Sequence, residues 1–288
     1  MTGFPVQGVL DGMPRRLYPC MPTRLLTWLD CPRRYRFSYL DRPPPPKGPP
    51  WAHTSLGTSV HTALASWWRS PPGRRTPERG AQLVRAGWVR EGYRDDAQSD
   101  GVRERAARWV RDYLADVDPG TEPIGVERTV SAPTAALVLS GRVDRIDERP
   151  DGSVVIVDYK TGRRPPADDD ARGSLALAVY AVAAARTLRR PCALVELHHL
   201  PTGTVAAAAH GDGSLQRKVA EAESIAREAR AGDEAYAARD TGDAPFPARP
   251  SVSCGWCDFR AVCSEGRAAS PQRRPWDAVE ADLPDAGS

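Results

Sequence analysis

The chain has 288 residues, of which 41% are hydrophobic and 27% charged, enough apolar content to bury a full core and too much for a disordered polyelectrolyte. A formal net charge of +3 gives no overall basic balance from which a nucleic-acid partner could be read. The longest purely apolar run, residues 175–185, falls short of the ~20 residues a membrane helix needs, so no membrane role is expected.

Residues 1–50 read as an N-terminal helical segment holding Cys31, closed by a Pro-rich linker at 42–50. A helix over 56–69 carries His61, and two amphipathic stretches, 77–94 and 101–116, predict a helical insertion within 77–117. Strands rich in Val, Ile and Leu are expected at 124–131, 137–147 and 153–159 as an antiparallel meander. A helix over 174–188 then crosses to a strand at 193–200, paired with one at 204–208, which closes a core of residues 51–210. A long helix over 214–230 leads into a cysteine-rich segment, so that 211–267 forms a C-terminal unit, and the Pro- and Asp-containing tail 268–288 is expected to be disordered. There are no internal repeats.

The chemistry is concentrated in the second and third strands. Asp144 lies in Gly-Arg-Val-Asp-Arg-Ile-Asp and Asp158 in Val-Val-Ile-Val-Asp-Tyr-Lys-Thr-Gly, with Arg-Pro-Asp-Gly between them as a hairpin turn. Folding about Asp151 sets Asp144 opposite Asp158. Alternation along the strand puts Asp158 and Lys160 on one face, and Val157 and Tyr159 on the other. Two carboxylates and a lysine in that arrangement suit hard-cation chemistry at a phosphodiester, with Mg2+ or Mn2+ polarising the phosphoryl group and Lys160 orienting water or neutralising charge. Taken alone, Asp-x-Lys is also the pattern of a strand-end salt bridge.

Six cysteines are present, and Cys254, Cys257 and Cys263 form a C-x2-C-x5-C group with Cys31 far upstream. Four thiolates can close a tetrahedral zinc site or hold a cubane iron-sulfur cluster, and spacing does not choose between them. A disulfide framework would need a secretory route, and residues 1–20 carry no basic-then-apolar leader, so the expected location is the cytoplasm. Cys20 and Cys192 sit in no motif and read as ordinary thiols.

In order along the chain come Leu26-Thr-Trp-Leu-Asp-Cys-Pro-Arg-Arg-Tyr-Arg-Phe, Gly57-Thr-Ser-Val-His61, Gly141-Arg-Val-Asp144, Asp158-Tyr-Lys160-Thr-Gly, Tyr180 and the closing cysteines. Over residues 22–265 this series resembles the PD-(D/E)XK nuclease superfamily, in particular the RecB-like exonuclease branch with CRISPR-associated and AddB-type iron-sulfur nuclease domains. The resemblance implies an α/β restriction-endonuclease-like core, a mixed central sheet flanked by helices, with a helical insertion and a Cys cluster linking the terminal segments. It implies that His61, Asp144, Asp158 and the carbonyl of Tyr159 hold Mg2+ or Mn2+, and that Asp144, Asp158 and Lys160 are catalytic. It implies further that Cys31, Cys254, Cys257 and Cys263 hold a [4Fe-4S] cluster, with structural Zn2+ as the alternative. The implied activity is a metal-dependent DNA exonuclease acting on single strands or ends in repair or recombination, beside a helicase or other repair partner. One departure stands out: the family's Gln-x-x-x-Tyr helix motif reads Ala176-Leu-Ala-Val-Tyr180 here, which touches substrate positioning more than metal chemistry. Tyr180 is read as a nucleic-acid contact or as an aromatic packed on an apolar helix.

Arginines cluster at Arg33, Arg34 and Arg36, at 69–79, at 103–111 and at Arg163 and Arg164, interleaved with Tyr35, Phe37, Tyr39, Trp67, Trp68 and Trp109. Arginine beside aromatics suits phosphate clamping and base stacking, and Arg34 and Arg163 are the candidate contacts. Each such arginine also fits a solvated helix face. An alternative function is a nucleic-acid-binding iron-sulfur module whose nuclease site has decayed or serves a partner.

Overall fold

In a computed structural model describing residues 17–280, the chain begins with a short strand β1 (Tyr18–Cys20), which the sequence did not suggest, followed by helices α1 (Pro22–Asp30) and α2 (Pro32–Tyr39). The break between these helices is local chemistry. The ring of Pro32 disfavours helical backbone at the residue before it, and Cys31 is extended at φ −167°, ψ 112° while its N–H still donates to the Thr27 carbonyl. Cys31 is thereby held at a bend. The expected Pro-rich linker has no regular structure and leads to α3 (Ala52–Trp68).

The predicted insertion is α4 (Pro77–Ala86) and α5 (Asp96–Ala115), each started by a side chain accepting from a backbone N–H: Thr76 from Arg79 and Asp95 from Gln98. Strands β2 (Gly125–Pro133), β3 (Leu137–Glu148) and β4 (Val154–Lys160) follow as expected. Next come an unanticipated short helix α6 (Asp168–Gly173), the predicted α7 (Leu175–Leu188), β5 (Cys192–His199) and β6 (Thr204–Ala209). Helix α8 (Asp212–Ala237) runs seven residues past the expected 230, and α9 (Ser264–Ala269) and α10 (Asp277–Glu280) close the chain.

Residues 270–280 differ from the disordered tail expected. The Ala52 N–H donates to the Pro275 carbonyl, Arg105 donates to the Val279 carbonyl, and Val279 is buried against the α3–α5 core. Trp276 and Val279 supply the apolar area that a count of Pro and Asp overlooks. Residues 1–16 and 281–288 lie outside the described residues.

The sheet is mixed, six-stranded and ordered β1-β3-β4-β5-β6, with β2 paired to the other edge of β3. β2–β3, β3–β4 and β5–β6 are antiparallel, and β1–β3 and β4–β5 are parallel, the latter joined through α6 and α7. Three cores flank it. Val157 and Tyr159 pack with α3, α4 and α5; Ile146, Ile156 and Val195 pack with α7; and Leu137 and Leu139 pack with α1, α2 and α8. Because Val157 and Tyr159 face the α3–α5 side, Asp158 and Lys160 belong to the opposite face of β4, as alternation requires.

One buried guanidinium ties the elements together behind that face. Arg145 is 6% exposed, donates to the hydroxyls of Tyr113 and Tyr159 at 3.1 Å each, pairs with Asp147 at 2.9 Å and lies 4.8 Å over the Trp68 ring. Trp68 ends α3, Tyr113 belongs to α5, and Tyr159 separates Asp158 from Lys160. Burial raises the Asp147 carboxyl above its ordinary range against the opposing charge of Arg145. Arg145→Met leaves Asp147 buried without its cation and should cost about 3–5 kcal/mol of stability, read from the urea midpoint. Adding Asp147→Asn should recover part of that loss, and an unchanged midpoint for Arg145→Met would contradict the assignment.

Candidate active site

The site forms where β3 releases its neighbours. The β2–β3 register passes from Val126↔Arg145 to Arg128↔Val143, skipping Glu127 and Asp144, and the β3–β4 register ends at Arg145↔Val157. Continued by one step, that register sets Asp144 opposite Asp158, as the hairpin reading expected. Instead of a ladder bond, the Tyr159 N–H donates to Asp144 Oδ2 at 2.9 Å. Glu127 has φ +49°, a left-handed backbone that costs a non-glycine residue about 1–2 kcal/mol. Such strain collects at functional positions.

The freed side chains converge. His61, one turn beyond Gly57 on α3, places Nδ1 3.2 Å from Asp144 Oδ2. His61, Glu127 and Asp144 each offer a ligand atom within 4.8 Å of the others, the one group of three such side chains among the described residues with the spacing to hold a metal ion. Burial opposes a proton on His61, but the hydrogen bond and charge of Asp144, with the charges of Asp158 and Glu127, prevail and raise its pKa above the ordinary value. These residues line a cleft of about 450 Å3 with Thr58, Thr62, Arg69 and Arg142, and Arg142 pairs with Glu127 at 2.7 Å.

Asp158 stands beside this trio and outside its 4.8 Å grouping. Lys160 Nζ lies 2.6 Å from Asp158 Oδ2, yet that buried oxygen makes no hydrogen bond of acceptable geometry: it is ion-paired without a directed donor. Burial raises the Asp158 carboxyl; Lys160 opposes and Asp144 reinforces the shift. A carboxylate so placed gains from a further cation, and the nitrogen and carboxylate oxygens of this cluster are the donor set of a hard divalent ion. The side chain of Tyr159 points away, its hydroxyl accepting from Trp68 and Arg145.

Glu127 was missed in the sequence. Its signal is an acid within Gly-Val-Glu-Arg-Thr-Val, opposite Asp144 once the β2–β3 meander is registered.

Tyr180 comes to the site on α7. A Cβ on Gly141 would lie 2.2 Å from its ring, so glycine at 141 makes room for the aromatic, and the Tyr180 hydroxyl is pushed up to about 12 by burial and by Asp158 and Asp144. Arg163 is exposed three residues beyond Lys160. Arg34 is elsewhere, 3.6 Å from Asp30 and beside the cysteines. Of the aromatics interleaved with arginine, Tyr35, Phe37, Trp67 and Trp68 are core residues, which removes them as stacking platforms.

Cys31, Cys254, Cys257 and Cys263 line a second cavity of about 90 Å3. Two of the sulfurs accept backbone N–H groups, Cys254 from Ser251 at 3.4 Å and Cys263 from Gly266 at 3.3 Å. Burial raises the Cys257 thiol, partly offset by its backbone bond and by Arg34. Cys20 and Cys192 lie apart in the core, their thiols pushed by burial up to about 11 and about 12.

No helix among the described residues is long and apolar enough to cross a membrane. The crystal structure of SSO0001 aligns with 87% of this chain and 88% of its own at 11% identity and a TM-score of 0.36. That of a putative exonuclease from Eubacterium rectale aligns over 62% and 83% at 11% identity and a TM-score of 0.31. No curated protein matches the sequence. The sequence profile of the PD-(D/E)XK nuclease superfamily matches residues 21–264, which spans α1 to the last cysteine. With that match over most of its length, the chain belongs to the PD-(D/E)XK nuclease superfamily, whose substrates are nucleic acids.

Proposed function

We propose that the protein is a metal-dependent DNA exonuclease of the RecB-like branch, acting on single strands or DNA ends in the cytoplasm during repair or recombination, alone or beside a helicase. The observation that carries the reading is the convergence of His61, Glu127 and Asp144 at the opening of β3, with Asp158 and Lys160 next to them. His61 Nδ1, the carboxylates of Glu127, Asp144 and Asp158 and the carbonyl of Tyr159 would hold Mg2+ or Mn2+. Bound there, the ion supplies charge stabilisation at the phosphate and a lowered pKa for water. Lys160 holds a positive charge at the edge of the group, where it orients the attacking water or neutralises the phosphorane-like charge. Arg69 and Arg142 line the same cleft, where the entering phosphate meets them.

Asp144→Ala or Asp158→Ala should abolish cleavage of end-labelled DNA while the protein stays folded, because each removes a ligand. Lys160→Met should lower kcat about a hundredfold or more with little change in Mn2+ affinity. Robust cleavage by folded Asp158→Ala would sink the site, and a lower melting temperature with an unchanged rate for Lys160→Met would make the lysine a structural ion pair. Product lengths from labels at either end read direction.

The raised pKa of His61 carries a pH signature. The ion needs the unprotonated ring, so Mn2+ affinity should fall as pH drops through the His61 pKa. Since that pKa lies above the ordinary histidine value, the fall should begin at higher pH than for a free histidine. Calorimetry across pH checks this, and His61→Gln should remove that step of the profile.

The proposal extends to a [4Fe-4S] cluster held by the four cysteines that line one cavity, with structural Zn2+ on the same thiolates as the alternative. Anaerobically purified protein should be brown, with about four iron and four sulfide per chain. Cys31→Ser should lower the melting temperature as much as Cys257→Ser, since either loss unties two distant segments. A colourless, stable protein free of both metals would refute the assignment.

A further inference from the structure

A third cavity, about 360 Å3, adjoins the cleft and has no part in the chemistry above. Its walls come from five segments that meet only in the fold, one of them α10 through Ala278 and Val279. His53 and Leu56 belong to the start of α3, Trp109 to α5, Thr161 and Arg163 to the turn after β4, and Trp256 to the loop between Cys254 and Cys257. Two indoles, an imidazole and the guanidinium groups of Arg105 and Arg163 therefore surround one space, with Arg105 lying 5.8 Å over the Trp109 ring.

That space lies next to the site. Gly57 lines the cleft, while its neighbour Leu56 lines the pocket, and a Cβ on Gly57 would lie 3.7 Å from Thr161 Oγ1. Helix α3 and the turn after β4 thus touch at residue 57, with the cleft on one side and the pocket on the other. From His53 to His61 is eight residues, about 12 Å along the helix axis at 1.5 Å per residue, a span of a few nucleotides of single strand. The turn carrying Thr161 and Arg163 leaves directly from Lys160.

The walls are held in place. His199, 1% exposed, donates from Nε2 to the Gly162 carbonyl at 2.6 Å while its Nδ1 meets Thr202 at 2.8 Å, which fixes the turn. The Trp256 ring lies 5.2 Å from that of Trp51, whose indole N–H donates to Asp258 at 2.7 Å. Burial lowers the His53 pKa, so its ring is neutral at neutral pH and offers a π-face without charge.

We propose that this pocket receives an unstacked base of a single-stranded DNA substrate, between Trp109 and Trp256, with Arg163 at the adjoining phosphate. The inference rests on the nuclease reading above and adds to it a base-binding position and a second task for the cysteine segment, which supplies one wall. Every base has a π-face, so such a pocket grips without selecting sequence. A duplex base, stacked and paired, cannot enter, which gives a physical ground for preferring single strands.

The test measures anisotropy of a fluorescein-labelled oligothymidylate with the full-length protein in EDTA, where nothing is cut, while one abasic residue is walked along the strand. Loss of the base at one position should weaken Kd about tenfold, the size of one aromatic stacking contact. Trp256→Leu and Trp109→Leu should weaken binding of the intact strand by a similar factor and become indifferent to the abasic site, whereas Trp256→Phe keeps both affinity and sensitivity. With Mn2+, the Leu variants should raise KM for the single strand by a similar factor. The abasic arm uses wild-type protein, so it decides even if a variant fails to fold. Equal affinity for intact and all abasic strands, with normal cleavage, overturns the base pocket alone. Absence of both binding and cleavage overturns it together with the nuclease reading.

Discussion

Strand β3 must satisfy two edges of a sheet and still leave one residue unpaired, and the site depends on how it does so. Its first half pairs with β1 and its second half with β4, while β2 runs along the opposite edge. Asp144 falls in the gap on both sides. Freed from the ladder, it accepts from the Tyr159 N–H and His61 with the same oxygen, and so fixes β4 relative to α3. The strained backbone of Glu127 is the local cost of opening the other edge.

Alternation along the same strand then divides labour between the faces. Asp144 serves the cleft, while Arg145 on the reverse face holds Trp68, Tyr113 and Tyr159. Gly141, farther back along the strand, admits the ring of Tyr180 from α7. Precision at the carboxylates comes from a clamp behind them, because a ligand's position is set by the rigidity of the neighbours in sequence that it cannot move without. The missing Gln of the helix motif fits this division: position 176 is Ala, and Tyr180 is positioned by packing against glycine rather than by a side-chain partner one turn before it.

The N-terminal helices are held to the C-terminal segment by side-chain contacts. Asp233 on α8 accepts from Tyr18, Arg24 and Tyr35, and Arg33 bridges Asp243 and Glu265. Trp28 stacks edge-on with Phe246 and meets α8 at Gly232, where a Cβ would lie 2.8 Å from the indole. These contacts bring Cys31 to the C-terminal loop before any inorganic group is considered, so a cluster there would bind a largely prepared pocket. That preparation lowers the loop-closure cost that four scattered ligands would otherwise carry.

Period-two patterning made the hairpin and the facing of Asp144, Asp158 and Lys160 legible, because a strand's faces follow from residue parity alone. Most helices were legible from their apolar stripes, and the start of α4 at Pro77 was placed correctly, while α5 begins five residues before the expected 101, where Asp95 caps it. Glu127 was not legible, since its role needs the register of β2 on β3 and a left-handed backbone that no local pattern marks. The burial of Trp67 and Trp68 was hidden for a related reason: two adjacent indoles look like a stacking surface until α4 and α5 fold over them. Charge was the least legible quantity. Forty basic residues against 37 acidic ones sum to almost nothing. In the cleft Glu127 and Asp144 lie with Arg69 and Arg142, while Arg90, Arg103 and Arg172 pair with aspartates elsewhere. Opposite local demands cancel in the sum, and only the positions of the charges carry the function.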